Sequence, residues 1–166
     1  MKNLFILFLA SLLFWGGYCV VNKIQAKQNY IGYLKRAADA NSIEMAKKEL
    51  SKAITEIERQ GLTSGYTSVL WKTPDEDLGF WYDNLKTSLK ELSELPVESS
   101  GLEKSNMLMK LRETLLDHNK DGDSVTYPKG VFLYPSNTII AIWGSLSLIL
   151  TVIFFLIAGI KYDWFG

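Results

Sequence analysis

The sequence predicts an all-α membrane protein, with two transmembrane helices flanking an extracytoplasmic, antiparallel four-helix bundle. Three observations carry that expectation. Leu4 to Val21, LFILFLASLLFWGGYCVV, is a long apolar run without a charge. Thr138 to Ile160, TIIAIWGSLSLILTVIFFLIAGI, is a second one. Between them, apolar residues recur at helical spacing on a background of Lys, Glu and Asp.

An α-helix rises about 1.5 Å per residue and the hydrocarbon core is about 30 Å thick, so the second run (138–160) can cross it. Tyr134 before it, and Tyr162, Trp164 and Phe165 after it, suit anchoring among headgroups. The first segment (1–22) has Lys2 ahead of its apolar stretch, as secretory signals do. It reads as an uncleaved signal-anchor, because "GGYC" is a poor cleavage site and Tyr18 stands where a lipoprotein signal needs a small residue before Cys19. Cleavage after "IQA", at Ala26, is the alternative. Lys23, Lys27, Lys35 and Arg36 follow the first run and would hold nearby chain inside. A segment of more than 100 residues translocates largely regardless of such charge. Both ends are therefore expected in the cytoplasm and the middle outside it, in a bacterial inner membrane, with a short tail at 161–166.

The middle (23–118) reads as four helices. The first, about 23–40, has Ile24, Ile31, Leu34 and Ala38 on one face. The second, about 42–60, begins behind Asn41 as cap, with Glu44 three residues on. Its stripe is Ile43, Ala46, Leu50, Ala53, Ile54 and Ile57, and Gly61 closes it in the left-handed conformation. The third, about 74–94, opens on "TPDE": Thr73 caps, Pro74 takes the first position, and Asp75 and Glu76 meet the positive end of the helix dipole. The fourth, about 101–118, starts from a Ser100/Glu103 capping box and uses Leu108, Leu111, Leu115 and Leu116, with Met107. Short loops favour antiparallel neighbours and bring the two spans side by side. Residues 119–137 then form an extended linker, since Pro128, Gly130 and Pro135 argue against helix.

"DHNKDGD", from Asp117, matches the first half of a calcium loop: Asp117, Asn119 and Asp121 stand at ligand positions, with Gly122 behind them. The match fails where Pro128 replaces the closing Glu, so a polar turn at the helix end is the expected structure. Weak cation binding by Asp117–Asp123 stays open.

The candidate interaction surface comprises Phe80, Trp81 and Tyr82, three consecutive aromatics that cannot share one helix face, together with Tyr66 and Trp71 in an unusually apolar connection. The alternative for the three is a core wrapped by Trp81, which recurs at helical spacing with Leu78, Leu85, Leu89 and Leu92, with Tyr82 reaching outward. That connection either dips into the membrane interface or covers the base of the bundle. Gly16, Gly17, Ala141 and Ser145 are candidates for close helix contact.

Composition narrows the function classes. Eighteen basic and eighteen acidic residues balance, without a basic patch for nucleic acid. Cys19 is the single cysteine and His118 the single histidine, so neither an intrachain disulfide nor a histidine-rich metal site is available. The acidic residues read as scattered on solvated faces. The spans carry no ionisable side chain, which argues against ion-coupled transport. No enzyme and no cofactor is expected. The partners expected are the lipid bilayer and a membrane protein or a second copy of the chain, in a scaffold or accessory-subunit role. The alternative is an extracytoplasmic sensor or small-ligand module. The layout of two spans around a four-helix domain resembles the sensing half of bacterial chemoreceptors. Only Lys161 to Gly166 follow the second span, so a signal would be expected to pass to a partner within the membrane.

Overall fold

A computed structural model describes residues 2–119 and 122–161. Lys120, Asp121 and the anchors expected at Tyr162, Trp164 and Phe165 lie outside the described residues. The chain is mostly helical, and two of its helices are long and apolar enough to cross a membrane.

The first helical rod is built from α1 (Lys2–Ala26), a π-helical turn (Lys27–Ile31) and α2 (Gly32–Ala38). In the π turn the Gly32 N–H bonds to the Lys27 carbonyl, five residues back. A β-carbon on Gly32 would lie 2.7 Å from that oxygen, so glycine lets the wide turn close. The extra residue rotates everything beyond it by about 100°. The buried face is accordingly Ala26, Tyr30, Leu34, Ala37 and Ala38, whereas Ile24, expected on it, is exposed.

Helix α3 (Ile43–Arg59) is capped by Ser42, whose hydroxyl accepts from the Met45 N–H at 3.2 Å; the cap expected at Asn41 lies one residue early. Its expected stripe is buried throughout. Gly61 follows it at φ +70°, the left-handed stop. "TPDE" makes only a 3₁₀ turn (Pro74–Glu76). Asp77 then goes extended, pairs with Tyr66 across an antiparallel bridge, and caps α4 (Leu78–Glu94) through Gly79 and Phe80. The start expected at Pro74 therefore moves four residues on, because backbone pairing with the α3–α4 connection interrupts the helix. α5 (Gly101–Leu115) carries both bonds of the expected Ser100/Glu103 capping box.

α5 stops at Leu115, three residues before the expected His118. The chain then turns back on itself in a hairpin of β1 (Leu116–Asn119) and β2 (Gly122–Val125), with Leu116 opposite Val125 and Asn119 opposite Gly122. The extended linker expected from 119 thus begins as paired strand. Arg112 of α5 holds the hairpin through Asp123 at 2.6 Å and approaches Asp39 after α2 at 3.9 Å. A 3₁₀ turn (Val131–Leu133) and a cis Tyr134–Pro135 bond lead into α6 (Asn137–Lys161).

One apolar core draws on α2, α3, α4 and α5, including Tyr30, Leu34, Leu50, Ile57, Leu85 and Leu115. Each fully covered leucine contributes roughly 1.5–3 kcal/mol. Glu49, on the solvated side by sequence, is buried among them. Its carboxylate meets Lys52 Nζ at 3.0 Å and lies 3.0 Å from Arg36 Nε, the latter an ion-pair contact off the N–H axis.

α1 runs beside α6. The Trp15 indole donates to the Ile140 carbonyl at 2.8 Å, the Trp143 indole donates to Ser11 Oγ at 3.0 Å, and the Ser11 and Ser147 hydroxyls share a bond at 2.9 Å. Phe8 stacks on Phe154. The close approach is at Gly144, where a methyl would overlap the Trp15 ring; Gly16 and Gly17 have no neighbour there, and Ser145 is exposed. Gly144→Ala should therefore destabilise the full chain in detergent by about 1–3 kcal/mol, the usual cost of overpacking. Gly17→Ala should leave its thermal transition in place.

Candidate interaction surface

The connection from α3 to α4 is held against the entry to α6. The Leu78 N–H bonds to the Gly65 carbonyl at 2.9 Å and the Thr67 N–H to the Glu76 carbonyl at 3.1 Å. The Tyr134 hydroxyl donates to the Ser64 carbonyl at 3.0 Å. Gly65, at φ +100°, sits so near that hydroxyl that a β-carbon would collide with it. Gly130 is less crowded: a β-carbon there would lie 3.0 Å from Asn137 Nδ2 and in ordinary contact with the Thr67 carbonyl. Asn137 Nδ2 donates to the Gly130 carbonyl at 2.8 Å. Residues 64–67 are thereby fastened to the chain that opens α6.

The rest of the connection projects. Leu70 is 77% and Trp71 78% exposed, with Tyr66 and Val69 also exposed. The alternative that these residues cover the base of the domain is therefore wrong for Leu70 and Trp71. The three aromatics of α4 diverge, as about 100° per residue requires. Phe80 is 66% exposed. It lines a cavity of about 280 Å³ with Tyr66, Lys72 and Pro74, and Lys72 Nζ lies 5.1 Å from the Tyr66 ring centroid. Trp81 is only 7% exposed, and its indole donates to the Thr126 carbonyl at 3.1 Å. It belongs to the core and leaves the candidate surface. Tyr82 turns toward α3, donating to Glu58 at 2.5 Å, while Lys86 meets the same carboxylate at 3.1 Å. The structure thus brings Tyr66 and Phe80 together, leaves Trp71 projecting on the connection, buries Trp81 and turns Tyr82 toward α3.

The hydrogen bond from Tyr82, then that from Lys86, hold the Glu58 carboxyl below its ordinary pKa. The same bond raises the Tyr82 phenol. The charge of Asp77, reinforced by a hydrogen bond, raises the Tyr66 phenol, so both tyrosines are neutral near neutrality.

No family model matches the chain, and neither a curated protein nor a solved structure does.

Two further hollows escape sequence reasoning. One of about 390 Å³ lies between α4 and the hairpin, with Phe80 and Trp81 as apolar wall and Asn84, Asp117 and Lys129 as polar groups. The other, about 540 Å³, flanks the π turn, where Lys23, Lys27 and Lys35 face Asp123 and Val125. Both form between segments distant in sequence, so no local pattern announces them. The calcium-loop residues Asp117 and Asn119 lie in β1, where alternate residues are nearly 7 Å apart along the strand rather than curled round one point. Asp121 lies outside the described residues. Among the described residues, no three His, Cys, Asp or Glu side chains are grouped for a metal.

Truncation should separate the neighbouring aromatics. Trp81→Ala should cost about 3–5 kcal/mol of unfolding free energy in the full chain, and Phe80→Ala no more than about 0.5 kcal/mol. Tyr82→Phe should raise the Glu58 pKa toward the ordinary carboxylate range in a carboxyl-carbon NMR titration. Because the folded value is lowered, the link contributes stability above the ordinary range and loses it as pH falls through the lowered value.

Proposed function

We propose that this chain is an integral protein of a bacterial inner membrane, anchored by α1 and α6. Its helical domain lies outside the cytoplasm and serves as a non-enzymatic interaction module, an accessory subunit of a larger envelope complex. In this reading α2, α3, α4 and α5 form an antiparallel four-helix bundle. Each of the four packs on at least two others around the shared core, which supports that arrangement. The hydrogen-bonded pairing of α1 with α6 supports a two-span anchor, since hydroxyl groups such as those of Ser11 and Ser147 need partners inside hydrocarbon. The observation that carries the interaction role is the projecting Tyr66–Phe80 surface. Exposed aromatics gathered beside a cavity are the material of protein contacts.

Pulldown of the tagged full chain after mild detergent extraction should recover a membrane partner in fixed proportion. The Tyr66→Ser/Phe80→Ser variant should lose it while keeping its fold by circular dichroism. Recovery of the wild-type chain alone would contradict the accessory role. Protease added to intact spheroplasts should cut the domain, and its full protection would reverse the orientation.

The hollow between α4 and the hairpin favours a second reading, a small-ligand sensor. Its mix of ring wall, amide, carboxylate and ammonium suits a small zwitterionic or polar metabolite. A metabolite panel that leaves the thermal transition of the detergent-solubilised chain unmoved would remove that reading.

A further inference from the structure

We propose that the tip of the α3–α4 connection, Val69–Leu70–Trp71, inserts into the bilayer interface and gives the domain a third membrane contact beside its two helices. The inference rests on the reading that α6 crosses the bilayer, and it assigns the tip to lipid rather than to a protein partner.

Position is the first ground. Residues 64–67 are fastened to the chain entering α6 by the Tyr134–Ser64 bond and the close fit of Gly65 against Tyr134, with the Thr67 carbonyl beside Gly130. Asn137 opens α6, and its uncharged run begins with the next residue. Leu70 and Trp71 are three and four residues beyond Thr67. A fully extended chain covers at most about 3.6 Å per residue, so they lie within roughly 15 Å of that anchorage. The headgroup layer is about 5–8 Å deep on each side of the hydrocarbon, which places the water boundary inside their reach.

The level of that boundary has an independent mark. Trp15, Tyr18 and Trp143 gather within the first turns of α6: Trp15 donates to Ile140, and the Tyr18 and Trp143 rings are 6.3 Å apart. Indole and phenol groups concentrate where hydrocarbon meets water. The loop tip projects from the same end of α6 as this belt.

The chemistry of the tip fits the same layer. A leucine and a tryptophan more than three-quarters exposed have no protein cover. Trp71 offers an apolar body with a polar N–H. Lys72, folded back over Tyr66, sets an ammonium behind the apolar residues, where lipid phosphates would meet it. A protein-binding tip could use the same side chains. The fastening beside α6 is what favours lipid.

The test uses the full chain with Cys19→Ser, which removes the only native thiol. Single cysteines at Leu70→Cys, Val97→Cys or Ile149→Cys carry an environment-sensitive fluorophore. Val97, 90% exposed between α4 and α5, reports water, and Ile149 reports the middle of α6. Each protein is reconstituted into vesicles of phosphatidylcholine and phosphatidylglycerol containing lipids spin-labelled near the headgroup or near the chain end. The expected result is severalfold stronger quenching at position 70 than at position 97, greatest with the shallow label, and deep-label quenching at position 149. Quenching at 149 with position 70 as unquenched as position 97 overturns the inference and leaves the span intact. A label at 70 that is shielded from water yet unquenched also overturns it, in favour of a protein cover. Absence of quenching at 149 removes the span reading and this inference together. Trp71→Ser adds a measurement independent of labelling: it should loosen the domain's protection from hydrogen exchange at residues 64–67 in vesicles and leave it unchanged in detergent.

Discussion

The pairing of α1 with α6 constrains everything between them. Two apolar helices that run antiparallel and exchange hydrogen bonds at Ser11, Trp143 and Ser147 need the intervening chain to return to its starting point. That chain leaves through the π turn and α2 and comes back through the hairpin and the 3₁₀ turn at Val131. The polar groups give the pairing its register. In a hydrocarbon environment lipid is as apolar as leucine, so close packing and paired polar groups decide which faces meet. Gly144 supplies the first by admitting the Trp15 ring, and the serines and indoles supply the second.

At the domain end, the same economy of fastening recurs. Tyr134, Gly65, Gly130 and Asn137 bind the α3–α4 connection to the start of α6, although the segments are some seventy residues apart. Arg112 and Asp123 tie the hairpin to α5, and the Trp81 indole ties α4 to the strand exit at Thr126. The first group lies at the entry to α6, whereas Arg112 also approaches Asp39 at the end of α2. Around Val97 the chain is held by Lys104, which donates to the Val97 carbonyl, and by the capped start of α5.

Much of the helical layout was legible because it is local. The α3 stripe, the Gly61 stop, the Ser100/Glu103 box and both apolar runs follow from spacing and capping chemistry that need only neighbouring residues. The misplaced elements depend on partners far along the chain or on an exact fit. The π turn shifts the buried face of α2, and only the fit of Gly32 against Lys27 reveals it. Pairing of Asp77 with Tyr66 delays α4, and Leu116–Val125 pairing cuts α5 short. At the candidate surface, the divergence of three consecutive aromatics was readable, and so was the inward turn of Trp81, which shares helical spacing with Leu78, Leu85 and Leu92; the partner of its indole was not. The Thr126 carbonyl that receives the Trp81 indole is forty-five residues away. The hollow lined by Lys23, Lys27 and Lys35 was unreadable for the same reason, since the hairpin supplies its opposite wall.

The most direct test of the α1–α6 pairing is cross-linking within the native membrane. Ser11→Cys and Ser147→Cys, introduced together in a Cys19→Ser background, place two thiols where hydroxyls now touch, within reach of a disulfide. Mild oxidation should give a rapid intramolecular bond, seen as a faster-migrating monomer, whereas a Gly17→Cys/Ser145→Cys pair should not react. Failure of the first pair to close within one chain, or cross-links only between chains, would contradict the account.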